Sequence, residues 1–423
     1  MSEPFLFWNP GSAPLKKTDM VIVCGFLGAG KTTFLNHLLA NPGSARLGVL
    51  VNDLGSVNVD ASLVANRVEE LGASPVGVME LSSGCICCSM QSGMMDALLE
   101  MVNTYSPDVI LLEASGVADP KGILETLNQP NLCGRRGFDL VSIKHVVSVV
   151  DGCSLGELVR ESSDAGIKRH WLLGGDGRRP IGELMMEQME CCDLVVINKA
   201  DLLSESEAGT LKRVVLEVNP GASVLLTQQG VVSSEVVLGG ECVDMSKMLS
   251  GAGWRRILLD TLSAPESGIM FKRVLEPSDN PPGGGAKLQK SAGSHFHDDY
   301  GLKTFVYRRR VPFDEARLMR SLRKGMRGVL RVKGFIWLSR DPESVGLLSI
   351  AGRSLRADRL SEWWYERVAR GDLSMESIPE KVRSIWKEPW GDRRQELVFI
   401  GIGMDPSSIE ADLDACLDTR FSV

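Results

Sequence analysis

Lys31 and Thr32 stand behind three glycines in the stretch Gly25-Phe26-Leu27-Gly28-Ala29-Gly30-Lys31-Thr32-Thr33. A cation and a hydroxyl at that spacing fit a phosphate-binding loop. Glycine lets successive backbone N–H groups converge on phosphate oxygens at a helix N-terminus, where the helix dipole favours negative charge. Lys31 is the candidate to reach the β and γ phosphates, and the Thr32 hydroxyl is a candidate ligand for Mg2+. Such a loop needs a strand before it and a helix after it. Residues 20–24 form a short β-branched apolar run, and residues 34–39 repeat apolar side chains at helical spacing. The stretch therefore predicts binding of a nucleoside triphosphate.

Other chemically able residues sit where further apolar runs end. Residues 47–51 lead into Asn52-Asp53, and Asp53 and Asp60 read either as neighbours of the phosphates and Mg2+ or as solvated loop acids. Residues 109–112 deliver Glu113, at the head of Ala114-Ser115-Gly116-Val117-Ala118-Asp119-Pro120, the position from which an acid orients Mg2+ or its water. Residues 194–197 end in Asn198-Lys199-Ala200-Asp201. The Asp201 carboxylate can accept from both N1–H and the exocyclic amine of guanine, a donor pair that adenine lacks. Lys199 can lay its stem along the base, and Asn198 can tie this loop to the phosphate loop. The quartet favours GTP over ATP, with Lys31, Glu113 and Asp53 as catalytic candidates.

Cys85, Cys87 and Cys88 follow Gly84 and can offer soft ligands to one thiophilic ion. Zinc takes four ligands, so a fourth must come from elsewhere or from water. The competing reading is a cluster of buried thiols, of the kind that Cys191-Cys192 also suggests. His295 and His297, with Asp298 and Asp299, read either as a second metal group or as solvated loop residues.

The chain has 423 residues, enough for two or three domains. Its net charge of -7 argues against a broad nucleic-acid footprint. No apolar run approaches the ~20 residues of a membrane span, and the first residues lack the pattern of an export signal. A cytoplasmic protein is expected, with its ten cysteines as thiols rather than disulfides. Residues 93–105 read as a helix whose methionine stripe is core. Residues 153–182 read as an irregular insertion before a helix over residues 181–190. Residues 223–226 close the sheet, and the Pro/Gly/Ser-rich residues 276–294 form a linker. Strands over 304–310, 329–338, 347–351 and 397–402, with helices over 314–324 and 406–417, make a small α+β domain. The expected division is an arm at 1–18, a nucleotide domain at 19–235, a connecting segment at 236–300 and a C-terminal domain at 301–423.

The order GFLGAGKTT, ELSSGCICC, LLEASGVADP, INKADLL, followed by RVKGFIWL, LLSIAG and WGDRRQELVFIG, resembles the CobW-type P-loop GTPases, a metallochaperone family. The resemblance spans nearly all of residues 20–420. It implies an α/β P-loop NTPase fold, with a mostly parallel sheet flanked by helices, followed by a smaller C-terminal α+β domain. It further implies a GTP-controlled metal site at Cys85, Cys87 and Cys88, zinc most often and Co2+ or Fe2+ in some branches, and delivery to a client apo-metalloprotein. Two departures stand out. Where the family tends to read ENEFGE, this chain has Val51-Asn52-Asp53-Leu54-Gly55-Ser56, so two acids are missing and one is shortened, and the histidine-rich tract of many members is reduced to His295 and His297. Intrinsic hydrolysis is expected to be slow, since no arginine or glutamine occupies the usual catalytic positions. The alternatives are a metal buffer or sensor with nucleotide as a structural switch, a cobalt or iron insertase of the cofactor or nitrile hydratase type, and a P-loop kinase or ATP-dependent ligase with structural cysteines.

Overall fold

A computed structural model of the chain describes residues 17–51, 77–80, 89–131, 134–163, 170–171, 181–243 and 301–421. Asp53, Asp60, Cys85, Cys87, Cys88, His295 and His297 lie outside the described residues, as do residues 1–16 and the linker 276–294. Two compact units result. One draws on Met1–Cys153, Glu187–Ala208 and Gly221–Ala252, the other on Ser154–Met186, Gly209–Pro220 and Gly253–Val423.

From the N-terminus, the elements are β1 (Thr18–Cys24), α1 (Lys31–Ala40), β2 (Leu47–Val51), β3 (Gly77–Glu80) and α2 (Ser89–Glu100). Then follow β4 (Val109–Glu113), α3 (Pro120–Asn128), β5 (Val141–Asp151), α4 (Gly152–Ser163), β6 (His170–Trp171) and α5 (Ile181–Glu190). β7 (Leu194–Asn198), α6 (Glu205–Val218), β8 (Ser223–Leu226) and α7 (Ser234–Leu238) complete this half of the chain.

Among the described residues, seven strands form one sheet in the order β3-β2-β4-β1-β5-β7-β8, every pairing parallel. This helix-flanked parallel sheet is a P-loop NTPase fold. Parallel strands covered on both faces need apolar residues at nearly every position, which is why the sequence shows unbroken runs rather than alternation. Phe34, Leu35 and Leu38 of α1 pack on Val21, Val23, Val49, Leu111, Val147 and Val196, alternate strand positions on one sheet face. Because all strands point the same way, the loops after β1, β4 and β7 emerge at one edge. The methionine stripe is core: Met94, Leu98 and Met101 are buried, the last in a π turn (Met101–Tyr105) that continues α2.

Residues 153–163 depart from the expected irregular insertion, while residues 164–169 and 172–180 lie outside the described residues. α4 opens that stretch, burying Leu155, Leu158, Val159 and Ser162 at helical spacing, and Asp151 caps it by accepting from the Cys153 N–H at 2.9 Å. Two glycines in the helix, Gly152 and Gly156, masked the periodicity in the sequence.

The second unit contains β9 (Leu302–Arg309), α8 (Glu315–Lys324), β10 (Val329–Leu338), β11 (Asp341–Ala351), β12 (Ser354–Glu362), β13 (Gln395–Ile402) and α9 (Pro406–Asp414). Its sheet runs β6-β12-β11-β10-β13-β9, antiparallel except where β6 joins β12. Leu318 and Leu322 of α8 and Ile409 and Leu413 of α9 pack on Val332, Ile336, Leu348, Leu397 and Phe399. Asp314 and Asp405 cap these two helices, accepting from the N–H groups of Arg317 and Ser407. β12 was not expected, because its sequence SLRADRLSE is charged and only Ser354 and Leu355 in it are buried. Its cue was the two-residue turn Gly352-Arg353 linking the paired Ala351 and Ser354. No helix among the described residues is long and apolar enough to cross a membrane.

Candidate nucleotide site

The chain leaves β1 and turns through Gly25, Gly28 and Gly30, with φ of 147°, 76° and 99°. Side chains with a Cβ rarely adopt such angles, so the turn itself demands glycine. Gly30 is doubly constrained, since a Cβ there would overlap the side-chain amide of Asn198. Gly30 also caps α1, whose first turn carries no acidic residue. The positive end of the helix dipole is therefore not offset by the helix's own side chains.

Lys31 is 8 % exposed, and its Nζ lies 3.4 Å from the Phe26 carbonyl oxygen, folded back over the loop. Thr32 Oγ1 donates to Glu113 Oε1 at 3.1 Å, joining residues that are 81 positions apart in sequence. Glu113 is 3 % exposed at the end of β4. Two hard oxygen donors side by side, a hydroxyl and a buried carboxylate, fit the ligand preference of Mg2+. Beyond Glu113, the Ala114 N–H donates to Val23 O at 2.9 Å, and Gly116 lies so close to Leu27 that a Cβ would overlap it. The turn after β4 therefore rests on the phosphate loop. Asp119 is taken up as the cap of α3, accepting from the Lys121 N–H at 3.0 Å.

The quartet after β7 reaches the same edge. Asn198 Nδ2 donates to the Ala29 carbonyl at 2.9 Å, while its Oδ1 accepts from the Gly230 N–H at 3.0 Å. One amide side chain thus joins the phosphate loop, β7 and the turn after β8. Lys199 takes a left-handed backbone, φ 60°, and its Nζ donates to Asp151 Oδ2 at 2.6 Å. Asp201 is exposed, and the Ala200 N–H between them donates to Thr227 O at 2.9 Å. Ala29 is buried and Thr33 exposed. Asp151, Thr227 and Gly230 carry contacts that motif reading did not assign. That of Thr227 runs through its backbone carbonyl, which leaves no mark on side-chain identity, whereas Gly230 is marked by a left-handed φ of 68° and by Phe34 standing where a Cβ would lie.

Two other thiols, Cys24 at the end of β1 and Cys192 just before β7, are buried. Burial pushes the ionisation of Cys24 and Cys192 well above the ordinary thiol range, so both stay protonated. Among the described residues, no three histidine, cysteine or acidic side chains are grouped to hold a metal.

A phosphate loop at the centre of a parallel sheet, a hydroxyl–carboxylate pair beside it and an Asn-Lys-x-Asp loop at the same edge define a nucleotide-binding P-loop domain. Comparison with protein families agrees. Residues 19–226 match the CobW/HypB/UreG nucleotide-binding domain, and residues 302–417 match the cobalamin synthesis protein cobW C-terminal domain. The chain belongs to the CobW family of P-loop GTPases.

It is similar to a zinc-regulated GTPase metalloprotein activator 1 of Dictyostelium discoideum, 28% identical over 417 residues, 96% of this chain and 80% of that one. It also resembles the zinc chaperone CobW of a Sinorhizobium species, 32% identical over 230 residues, 53% of this chain and 62% of that protein. The zinc chaperone YjiA of Escherichia coli is 23% identical over 406 residues, covering 93% of this chain and 96% of that one. Among solved structures, Zn(II)-bound YjiA aligns at 18% identity with a TM-score of 0.35, covering 96% of this chain and all (100%) of that one. The fold assignment rests on strand order and register rather than on that superposition.

Proposed function

We propose that the protein binds and hydrolyses GTP with Mg2+, and uses the nucleotide state to control a transition metal, zinc, held by Cys85, Cys87 and Cys88. The metal is cargo for a client apo-metalloprotein in the cytoplasm. One observation carries the nucleotide half: Glu113 and Asn198, far apart in sequence, each hydrogen-bond the phosphate-loop region at one sheet edge, Glu113 to Thr32 and Asn198 to the Ala29 carbonyl. The relatives named zinc chaperone, and the one named zinc-regulated GTPase metalloprotein activator, support the cargo half.

The glycine loop and the N-terminus of α1 would cradle the phosphates, with Lys31 on the β and γ oxygens and Asn198, Lys199 and Asp201 reading guanine. Thr32 and Glu113 would hold Mg2+, with Asp53 as a further candidate. Bound there, the ion would offset charge building on the transferred phosphoryl group. Glu113, buried and already bonded to Thr32, fixes the hydroxyl before nucleotide arrives, so little reorganisation is needed. Soft thiolates suit zinc, and binding it releases protons. His295 and His297 are proposed as a secondary metal group. The domain division at 19–235 and 301–423 stands as part of the same proposal.

The test is zinc affinity of the reduced full-length protein, measured by competition with a chromogenic chelator in GTP and in GDP. The expected difference is about fivefold or more. It should vanish in Lys31→Ala, and the Cys85, Cys87 and Cys88 triple serine variant should lose zinc in both states. Equal zinc affinity in GTP and GDP would leave a metal buffer whose nucleotide is structural. Absence of Lys31-dependent phosphate release would remove hydrolysis from the reading.

A further inference from the structure

Asp151 ends β5 in register with Asn198 of β7, so the acid and the base-reading loop start from neighbouring strand ends. Each of its carboxylate oxygens is engaged. Oδ2 accepts from Lys199 Nζ at 2.6 Å, and Oδ1 accepts from the Cys153 N–H at 2.9 Å, in the first turn of α4. The Asp151 side chain is 17% exposed and that of Lys199 38%. A charge-assisted bond this short, with its acid largely withdrawn from water, constrains geometry more than a surface pair does. Lys199 itself holds a left-handed backbone that costs a non-glycine residue energy and persists only where its surroundings impose it. The following glycine, Gly152, touches the same loop: a Cβ there would press on Leu203 and on the Asn198 carbonyl.

We infer that Asp151 is a positioning residue for guanine selection, acting through Lys199 to fix where the Asp201 carboxylate meets the base. The inference rests on the guanine-nucleotide reading above and goes beyond the Asn-Lys-x-Asp quartet. Asp201 is exposed and lies two residues past Lys199, in a short 3-10 turn (Ala200–Leu202) that starts from the left-handed residue. If Lys199 relaxes, that turn loses its fixed origin and Asp201 its direction. Adenine nucleotides, which offer Asp201 no donor pair, gain nothing from that direction. Loss of Asp151 should therefore fall on guanine nucleotides alone.

The experiment measures GDP and ADP affinity of the full-length protein by displacement of a fluorescent guanine nucleotide. Asp151→Asn keeps an oxygen for the Cys153 N–H and removes the charge facing Lys199. It should weaken GDP binding about tenfold and leave ADP within about twofold, so the preference falls about tenfold. Made in a Lys199→Met background, the same change should have no further effect, because its route has been removed. A purely structural role would instead lower both nucleotides together and would persist in the Lys199→Met background. That result, or an unchanged GDP preference in Asp151→Asn, overturns the inference. Asp201→Asn separates the two levels. If it lowers guanine preference and Asp151→Asn does not, only the role of Asp151 falls. If the parent does not prefer GDP over ADP, the guanine reading and this inference fall together.

Discussion

Both units concentrate charge, yet they use it in opposite ways. In the first, Lys31, Glu113 and Lys199 gather with the Asn198 amide at the ends of parallel strands, beside an N-terminal helix end and a loop of glycines. In the second, arginines are consumed by the chain itself. Arg310 donates to the carbonyls of Gly391, Arg393 and Ile385. Arg393 lies 3.7 Å over the Tyr365 ring and 5.0 Å over that of Trp337, and pairs with Glu366 at 3.1 Å. Arg394 pairs with Glu396 at 2.7 Å. Cationic side chains packed on rings and on backbone oxygens brace a loop rather than await a ligand. The difference teaches that abundance of charge does not mark a site; what marks it is charge convergent with backbone donors at a shared edge.

The largest expected effect breaks the first region and spares the second. Lys31→Ala should cost about hundredfold in GTP affinity, ~3 kcal/mol, with an unchanged circular dichroism spectrum. A comparable loss of nucleotide binding in Arg393→Ala would erase the contrast between the units. Conversely, Arg310→Met removes charged donors from three carbonyls and should lower the stability of the second unit by ~2–4 kcal/mol, read by denaturant unfolding. Its GTP affinity should match that of the parent. Asp201→Asn should be milder, reducing the preference for GTP over ATP about tenfold in competition binding.

The smallest effect concerns pH. Tyr307 is buried and donates to Asp414 at 2.8 Å; burial first, then that acid, hold its phenol protonated well above the ordinary value of about 10. A raised folded-state value means stability that is complete below about pH 10 and lost as pH climbs toward the folded-state value, at most ~1.4 kcal/mol per pH unit. Tyr307→Phe should flatten that alkaline slope, measured as the difference between the two proteins' unfolding curves, while nucleotide binding stays the same. An identical slope in both would remove Tyr307 from the account.

Much of this was legible along the chain. The phosphate loop, Glu113 and the Asn-Lys-x-Asp quartet each follow an apolar strand, and such strands announce themselves because a doubly covered sheet tolerates little else. β12 and α4 were harder, since a charged hairpin arm and a glycine-bearing helix resemble surface loops when only local composition is read. The cysteine trio and the histidine pair belong to residues the structure does not describe, so their part rests on donor chemistry.

Local pattern alone determined the residue types able to hold phosphate, metal and base, and the strands and helices that present them, because those depend on neighbours a few positions away. Which strand ends adjoin was decided only by the tertiary fold. The strand order puts β1 between β4 and β5 and β7 beside β5, and from that follow the Thr32–Glu113 bond, the double bond-making of Asn198 and the Lys199–Asp151 pair. The same packing made Arg310 and Arg393 into braces, since a guanidinium's role depends on which carbonyls and rings lie within its reach.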